Sequence, residues 1–179
     1  MRVLVLATLV MGVFALGCSA QHVPRAEPVV ARSTIPTGAT PELVGTWRLV
    51  EFWDRDSAAA PKRYLYGDQP TGYFVYDPTG HVSIQIQKGP APPIVANERG
   101  EDWFRKALPE ELRVTVEAFR AYFGTYSVDR QRGIVIHQVE GDSRALYTGT
   151  MQRRRFRLVG DSLIIGNDTT TRRVLLRLR

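Results

Sequence analysis

A few residue types in this 179-residue chain are equipped for chemistry, and their spacing limits what that chemistry is. His137 lies in the segment Gly133 to Glu140, both of whose faces are mostly apolar. Its imidazole is therefore expected to face an interior, where it would polarise a ligand, bind a metal or carry a proton. A metal needs more ligands than this sequence supplies. His22 lies in a proline-rich stretch, His81 falls on the polar side of its segment, and no His-x-His or His-x-x-x-His pair exists. The plainer reading of His137 is a structural histidine with both nitrogens satisfied. Glu51 shares parity with Trp47 and Leu49 and points inward unless a bulge after Leu49 turns it out. Inward, it needs a cation beside it, which an arginine of the later strands can supply. Tyr73, Tyr76, Tyr126 and Tyr147 stand on separate segments, either as hydroxyls at a cavity rim or as amphipathic wall residues. The expected ligand-contacting set is Tyr73, Tyr126, His137 and Glu51. No catalytic set is expected: the sole cysteine is Cys18, no serine sits in a Gly-x-Ser-x-Gly turn, and there is no glycine-rich phosphate loop. No metal and no cofactor are implied.

The elements that would position these residues are mostly strands. Leu43 to Trp53 is apolar on both parities, the pattern of a strand partly covered on both faces. Gly72 to Tyr76 and His81 to Gln87 form a hairpin across Asp77-Pro78-Thr79-Gly80, and Val82, Ile84 and Ile86 alternate with polar residues. Lys88 to Asp102 reads as a long loop, with a short turn at Trp103 to Ala107. A helix is expected over about 109–121. Pro109 suits its first turn, Glu110 and Glu111 its positive end, and Leu112, Val116, Phe119 and Phe123 form a stripe wide enough to seal one side of a sheet. Five further strands follow: Tyr122 to Val128, Gly133 to Glu140, Thr148 to Val159, Ser162 to Gly166 and Arg173 to Leu178. The total is about eight, the number at which a closed antiparallel sheet encloses side chains or one small ligand. The fold class is mainly β.

The first residues set the compartment. Met1-Arg2 precedes an uncharged apolar run, Val3 to Leu16, too short for a permanent membrane span and ordered like a secretory signal. Gly17-Cys18-Ser19 suits lipidation at Cys18, with ordinary cleavage after Ala20 as the rival. Either way the chain is expected to be exported, with a signal at 1–17, an extended tether at 18–41 carrying four prolines, and a domain at 42–179. A lone cysteine allows no internal disulfide. The formal charge is +6; removing the leader takes away only Arg2 and leaves +5, much of it in Arg153-Arg154-Arg155, Arg157, Arg172-Arg173, Arg177 and Arg179. Export argues against nucleic acid as the partner of this charge. A solvated arginine-rich wall attracted to anionic lipid headgroups is the expectation.

Several stretches together resemble a known family. Leu43-Val44-Gly45-Thr46-Trp47-Arg48-Leu49-Val50, Tyr64-Leu65-Tyr66-Gly67-Asp68 running into Gly72-Tyr73, Tyr76-Asp77-Pro78-Thr79-Gly80, Tyr122-Phe123-Gly124-Thr125-Tyr126 and His137-Gln138-Val139-Glu140-Gly141 are similar in kind and order to the bacterial lipocalin-like domain family, over Leu43 to Arg179. The resemblance implies an antiparallel barrel with a helix against one mouth and a cavity inside. It also implies that Trp47 closes the barrel floor under a basic side chain of the last strand. Arg177 fits by position, with Arg173 and Arg179 at the same parity. The function expected is binding of a small hydrophobic or amphipathic molecule in the barrel, at a membrane reached through the Cys18 anchor. One alternative is an envelope interaction module with a filled barrel that works through its arginine-rich surface. The other is an enzyme that confines a hydrophobic substrate, with His137 or Glu51 as acid or base.

Overall fold

The computed structural model describes residues 40–91, 105 and 107–179. The leader, Cys18 and most of the tether lie outside the described residues, as do 92–102 of the long loop and 103, 104 and 106 of the turn before the helix.

The described residues form a closed barrel of eight antiparallel strands in sequence order. These are β1 (Gly45–Asp54), β2 (Thr71–Tyr76), β3 (His81–Gln87), β4 (Phe119–Asp129), β5 (Ile134–Asp142), β6 (Met151–Val159), β7 (Ser162–Gly166) and β8 (Thr171–Arg177). β8 closes on β1 through pairs such as Trp47 with Arg177 and Trp53 with Arg172, so no strand edge is left unpaired. Helix α1 (Pro109–Ala118) stands between β3 and β4, and a single 3-10 turn (Ala145–Tyr147) lies between β5 and β6.

The β2–β3 hairpin forms as its residues require. The Asp77 carboxylate accepts the backbone N–H groups of Thr79 and His81 at 2.8 and 2.9 Å, and these bonds hold its carboxyl below the usual range. In β3 the side chains of Val82, Ile84 and Ile86 are buried and those between them face out.

The helix is shorter than its apolar periodicity suggests. It ends at Ala118, and Phe119 is already extended at φ −128°, ψ 138°. From there the chain pairs with β3, Phe119 opposite Gln87 through Thr125 opposite His81. Phe119 and Phe123 are therefore strand residues on the outer wall, 39% and 57% exposed, and Val116 is 58% exposed, so the expected sealing stripe does not exist. A four-three-four spacing is compatible with a helix, but a free β3 edge offers a ladder of backbone hydrogen bonds that a helix would forgo. β6 also starts later than expected, at Met151, because the 3-10 turn takes up Ala145 to Tyr147.

Two irregularities shape the wall. The β1–β8 register slips between Leu49 and Glu51, and the β4–β5 register slips between Phe123 and Gly124. At Gly124 the backbone runs so close to β5 that an added Cβ would overlap the Gln138 carbonyl oxygen. Gly124→Ala is expected to cost about 1–3 kcal/mol, the usual range for forced overpacking. Urea unfolding measures this; an unchanged midpoint would mean that the two strands part at no cost.

The interior is packed. Trp47, Leu49, Phe52, Phe74, Tyr76, Ile84, Tyr122, Tyr126, Val139, Leu163, Ile165 and Leu175 form one buried cluster. Of the two fillings an eight-stranded barrel allows, side chains or one small ligand, these residues supply the first over most of the interior.

Candidate functional site

Strand direction gives the barrel two unlike ends. At one end, Gly45 of β1, Tyr76 of β2 and Arg177 of β8 come together; at the other lie Asp54, Thr71, Gln87, α1 and Thr171. The first end is shut. The Trp47 indole is fully buried and donates to the Leu43 carbonyl at 2.8 Å. The Arg177 guanidinium lies 4.0 Å from the centre of that ring and donates to the Val44 and Glu42 carbonyls at 2.7 and 2.6 Å.

His137 occupies the middle of the barrel. It is fully buried, with Tyr76 Oη 3.0 Å from its Nε2 and Tyr122 Oη 2.9 Å from its Nδ1. A neutral imidazole has one donor and one acceptor nitrogen, so one tyrosine donates to the ring and the other accepts from it. Burial, and secondarily the positive Arg154, push its pKa down to about 3, so the ring is neutral at physiological pH. Both nitrogens are occupied by protein partners. Among the described residues no cluster of three metal-ligating side chains occurs.

The helix end of the interior has a different chemistry. Phe52, Phe74 and Ile86 of β1 to β3 and Ile165 of β7 line a cavity of about 20 Å³ together with Arg120, Tyr122, Arg154 and Arg173, the apolar and charged side chains interleaved: Arg120 lies opposite Ile86 in the strand register, and Arg173 opposite Phe52 and Ile165. That is room for about one water. Arg120 is paired with the fully buried carboxylate of Asp142 at 3.0 Å and lies 4.6 Å from the Tyr147 ring centre. Arg173 meets Asp54 through two bonds, at 2.6 and 3.1 Å, and lies 4.0 Å from the Phe52 ring centre. Burial pulls Arg173 below the usual guanidinium range; the Asp54 charge opposes that shift and the charge of Arg154 adds to it. Arg154 has no carboxylate partner among the described residues; it donates to the side-chain oxygen of Gln152 and hydrogen-bonds the Tyr122 side chain. Three buried donors here have no acceptor: Arg120 Nε, Arg154 Nε and Gln152 Nε2. Burial pushes the Tyr122 phenol up, and Arg154 and Arg120 partly offset the shift.

A loop covers this end. The Tyr66 ring meets Phe52 edge-to-face at 4.9 Å, and its carbonyl accepts from Gly89 N at 3.0 Å. Gly67, at φ +75°, permits that approach, because any side chain would strike the Gly89 carbonyl.

The four residues expected to contact a ligand are not brought together. The slip after Leu49 turns Glu51 outward, where it accepts from Arg172 Nε at 2.8 Å. Tyr73 lies on the outer wall, 46% exposed. The Tyr126 hydroxyl donates to the Asp77 carbonyl at 3.0 Å and so serves the closed end. His137 alone faces the interior chamber, through Tyr122. Because Glu51 and His137 lie on opposite sides of the wall, they cannot form an acid–base pair around one substrate.

The residues missed were the interior charges Arg120, Arg154 and Arg173. β6 carried a usable signal: Arg153, Arg155 and Arg157 share one parity and are exposed, whereas Gln152, Arg154, Phe156 and Leu158 share the other. Reading the arginine run as a single surface patch hid that Arg154 goes with Phe156 and Leu158.

An eight-stranded up-and-down antiparallel barrel, sealed at one end by a tryptophan under an arginine and with a single helix between β3 and β4 at the other, is a lipocalin-type barrel. The model of the lipocalin-like domain matches residues 44–175, and the chain belongs to that family. The family fold suggests ligand binding in general. A search among curated proteins returned no match. The chain is also similar to the crystal structure of an uncharacterized protein from Bacteroides eggerthii, at 11% identity and a TM-score of 0.41 over 76% of this chain and 99% of that one, a likeness too slight to bear on the site.

Proposed function

We propose that this is an exported binding protein, held to a membrane through a lipid on Cys18, that takes a small amphipathic molecule at the helix end of its barrel. The observation that carries this reading is the mixed lining of the chamber, in which Phe52, Phe74, Ile86 and Ile165 stand beside Arg120, Tyr122, Arg154 and Arg173. Ligand sites of this kind combine apolar lining with a few convergent polar groups. The chamber admits about one water, so a ligand enters only by displacing side chains, and of the three arginines Arg154, which has no carboxylate partner among the described residues, costs least to move. Export and anchoring rest on the leader, Val3 to Cys18.

Thermal unfolding against fatty acids, isoprenoids and haem-like compounds tests the reading. A true ligand at a hundred times its Kd adds about 2.7 kcal/mol and raises Tm by roughly 10 °C. No shift with any of them would overturn it.

The packed interior favours a second reading, in which the barrel is a filled scaffold and the exposed Arg153, Arg155 and Arg157 of β6 dock an acidic partner or anionic headgroups.

A further inference from the structure

We propose that the outer wall of β2 to β4 is a second binding surface, independent of the barrel interior, and that its ligand is an uncharged N-acetylated oligosaccharide.

The strand register fixes what this wall presents. Three outward rows cross it: Gln87 stands beside Phe119, Tyr73 beside Gln85, and Ser83 beside Phe123. The three aromatic residues are thus the corners of a triangle about 12–13 Å on a side by strand spacing, with Gln85 near its middle. All three rings are exposed, although the barrel has an apolar interior. The Phe123 ring is nonetheless held, because it lies over Gly141, where an added Cβ would come within 2.6 Å of two ring atoms. Large rings of this kind give contact area at a low cost in conformational entropy.

Charge and size select the occupant. No outward position in these rows is charged, in a chain where 23% of the residues are. An ionic partner therefore finds nothing to pair with here. A second copy of the chain is excluded by area: three rows on three strands cover only about 300 Å², against roughly 800 Å² per partner in a stable protein interface. Rings so far apart need an extended ligand, neutral and apolar on its faces, with hydrogen-bonding groups at its edges. Linked pyranose rings meet that description, with C–H faces for the aromatic rings and hydroxyls for the amides. Gln85 donates one N–H to the Ser83 hydroxyl at 2.6 Å, and the Gln85 and Gln87 amides bring donors and acceptors together at the level of the sheet.

The acetyl group follows from where the wall ends. Gln87 and Phe119 also line a groove of about 360 Å³ beside α1, with Val116 and Ala118, and none of its described lining residues is charged. That volume lies within the range of ligand sites. An acetamide is complementary to it: the methyl group meets Phe119 and Val116, and the N–H and carbonyl meet the Gln87 amide.

The test titrates the isotope-labelled full chain with the tetramer of β-linked N-acetylglucosamine and, separately, with cellotetraose, following backbone amide resonances. The acetylated tetramer is expected to bind with a Kd of about 1 mM or below, and cellotetraose about tenfold more weakly. Shifts are expected in β2 to β4 and at 115–119, and not in β6 to β8. Tyr73→Ala and Phe123→Ala are each expected to weaken binding about fivefold to tenfold, whereas Tyr73→Phe retains it. A Phe123 that only covers Gly141 would lower Tm on substitution and leave binding unchanged, which overturns its role. Failure of both sugars to bind, or shifts confined to β6 to β8, overturns the proposal while leaving the interior reading untouched. Equal binding of the two overturns the acetyl assignment. Affinity that falls between 50 and 500 mM salt overturns the neutral character of the site. Should an alanine variant not fold, the wild-type shift map and salt series decide.

Discussion

Trp47→Ala is expected to lower the unfolding free energy by about 3–5 kcal/mol, the range for removing a large buried aromatic side chain. Three losses coincide at this residue. The indole is fully buried, its N–H holds the Leu43 carbonyl, and its face carries the Arg177 guanidinium. Arg177 in turn bonds the Val44 and Glu42 carbonyls, so removing the ring frees the strap that ties the chain before β1 to the end of β8. The described residues contain no cysteine, so no disulfide limits the damage there. Equilibrium urea unfolding of wild type and variant measures the difference. A loss under about 1 kcal/mol would mean that the floor closes without the indole.

The second large effect is a loss of stability on mild acidification. In the unfolded chain His137 titrates near 6.5, and in the barrel its pKa is pushed down to about 3. Between those values the unfolded chain takes up a proton that the folded one refuses. Folding stability therefore falls as pH drops through this window, by up to about 1.4 kcal/mol per pH unit. From pH 7.5 to 5 the loss is about 2 kcal/mol. The neighbours supply no rescue: Tyr76 and Tyr122 are neutral phenols and Arg154 is a cation. The carboxyls held low, Asp77 and Asp168, act in the same direction only as pH falls toward about 4, below the window. Urea unfolding at pH 7.5, 6.5, 5.5 and 5.0 reads the slope. In His137→Gln the slope should vanish even if the variant is less stable at pH 7.5. A flat wild-type profile would show that the ring is protonated inside the barrel at little cost.

Strand number, the β2–β3 hairpin and the burial of Val82, Ile84 and Ile86 were legible because alternation and turn chemistry are local. The floor was legible only through resemblance: Arg173, Arg177 and Arg179 share a parity, and pairing with Trp47 singles out Arg177. The candidate site was read poorly for the same reason. Parity along a strand is a reliable guide to facing until a bulge resets it, and the slip after Leu49 turned Glu51 outward. Phe119 and Phe123 satisfied a helical period but joined β3, because the hydrogen-bonding demand of a neighbouring strand edge is not written in the segment itself.

By itself, then, the order of apolar and turn-forming residues determined an all-antiparallel meander of eight strands, since each strand needs only the next one to pair with. Closure of the meander decided what the interior would be. It brought Arg120, Arg154 and Arg173, more than fifty residues apart from first to last, around one small cavity, and it gave Arg120 and Arg173 carboxylate partners from β5 and β1. Spacing along a chain specifies which side of a wall a residue faces, but only the curvature and register of the closed sheet specify what it meets there.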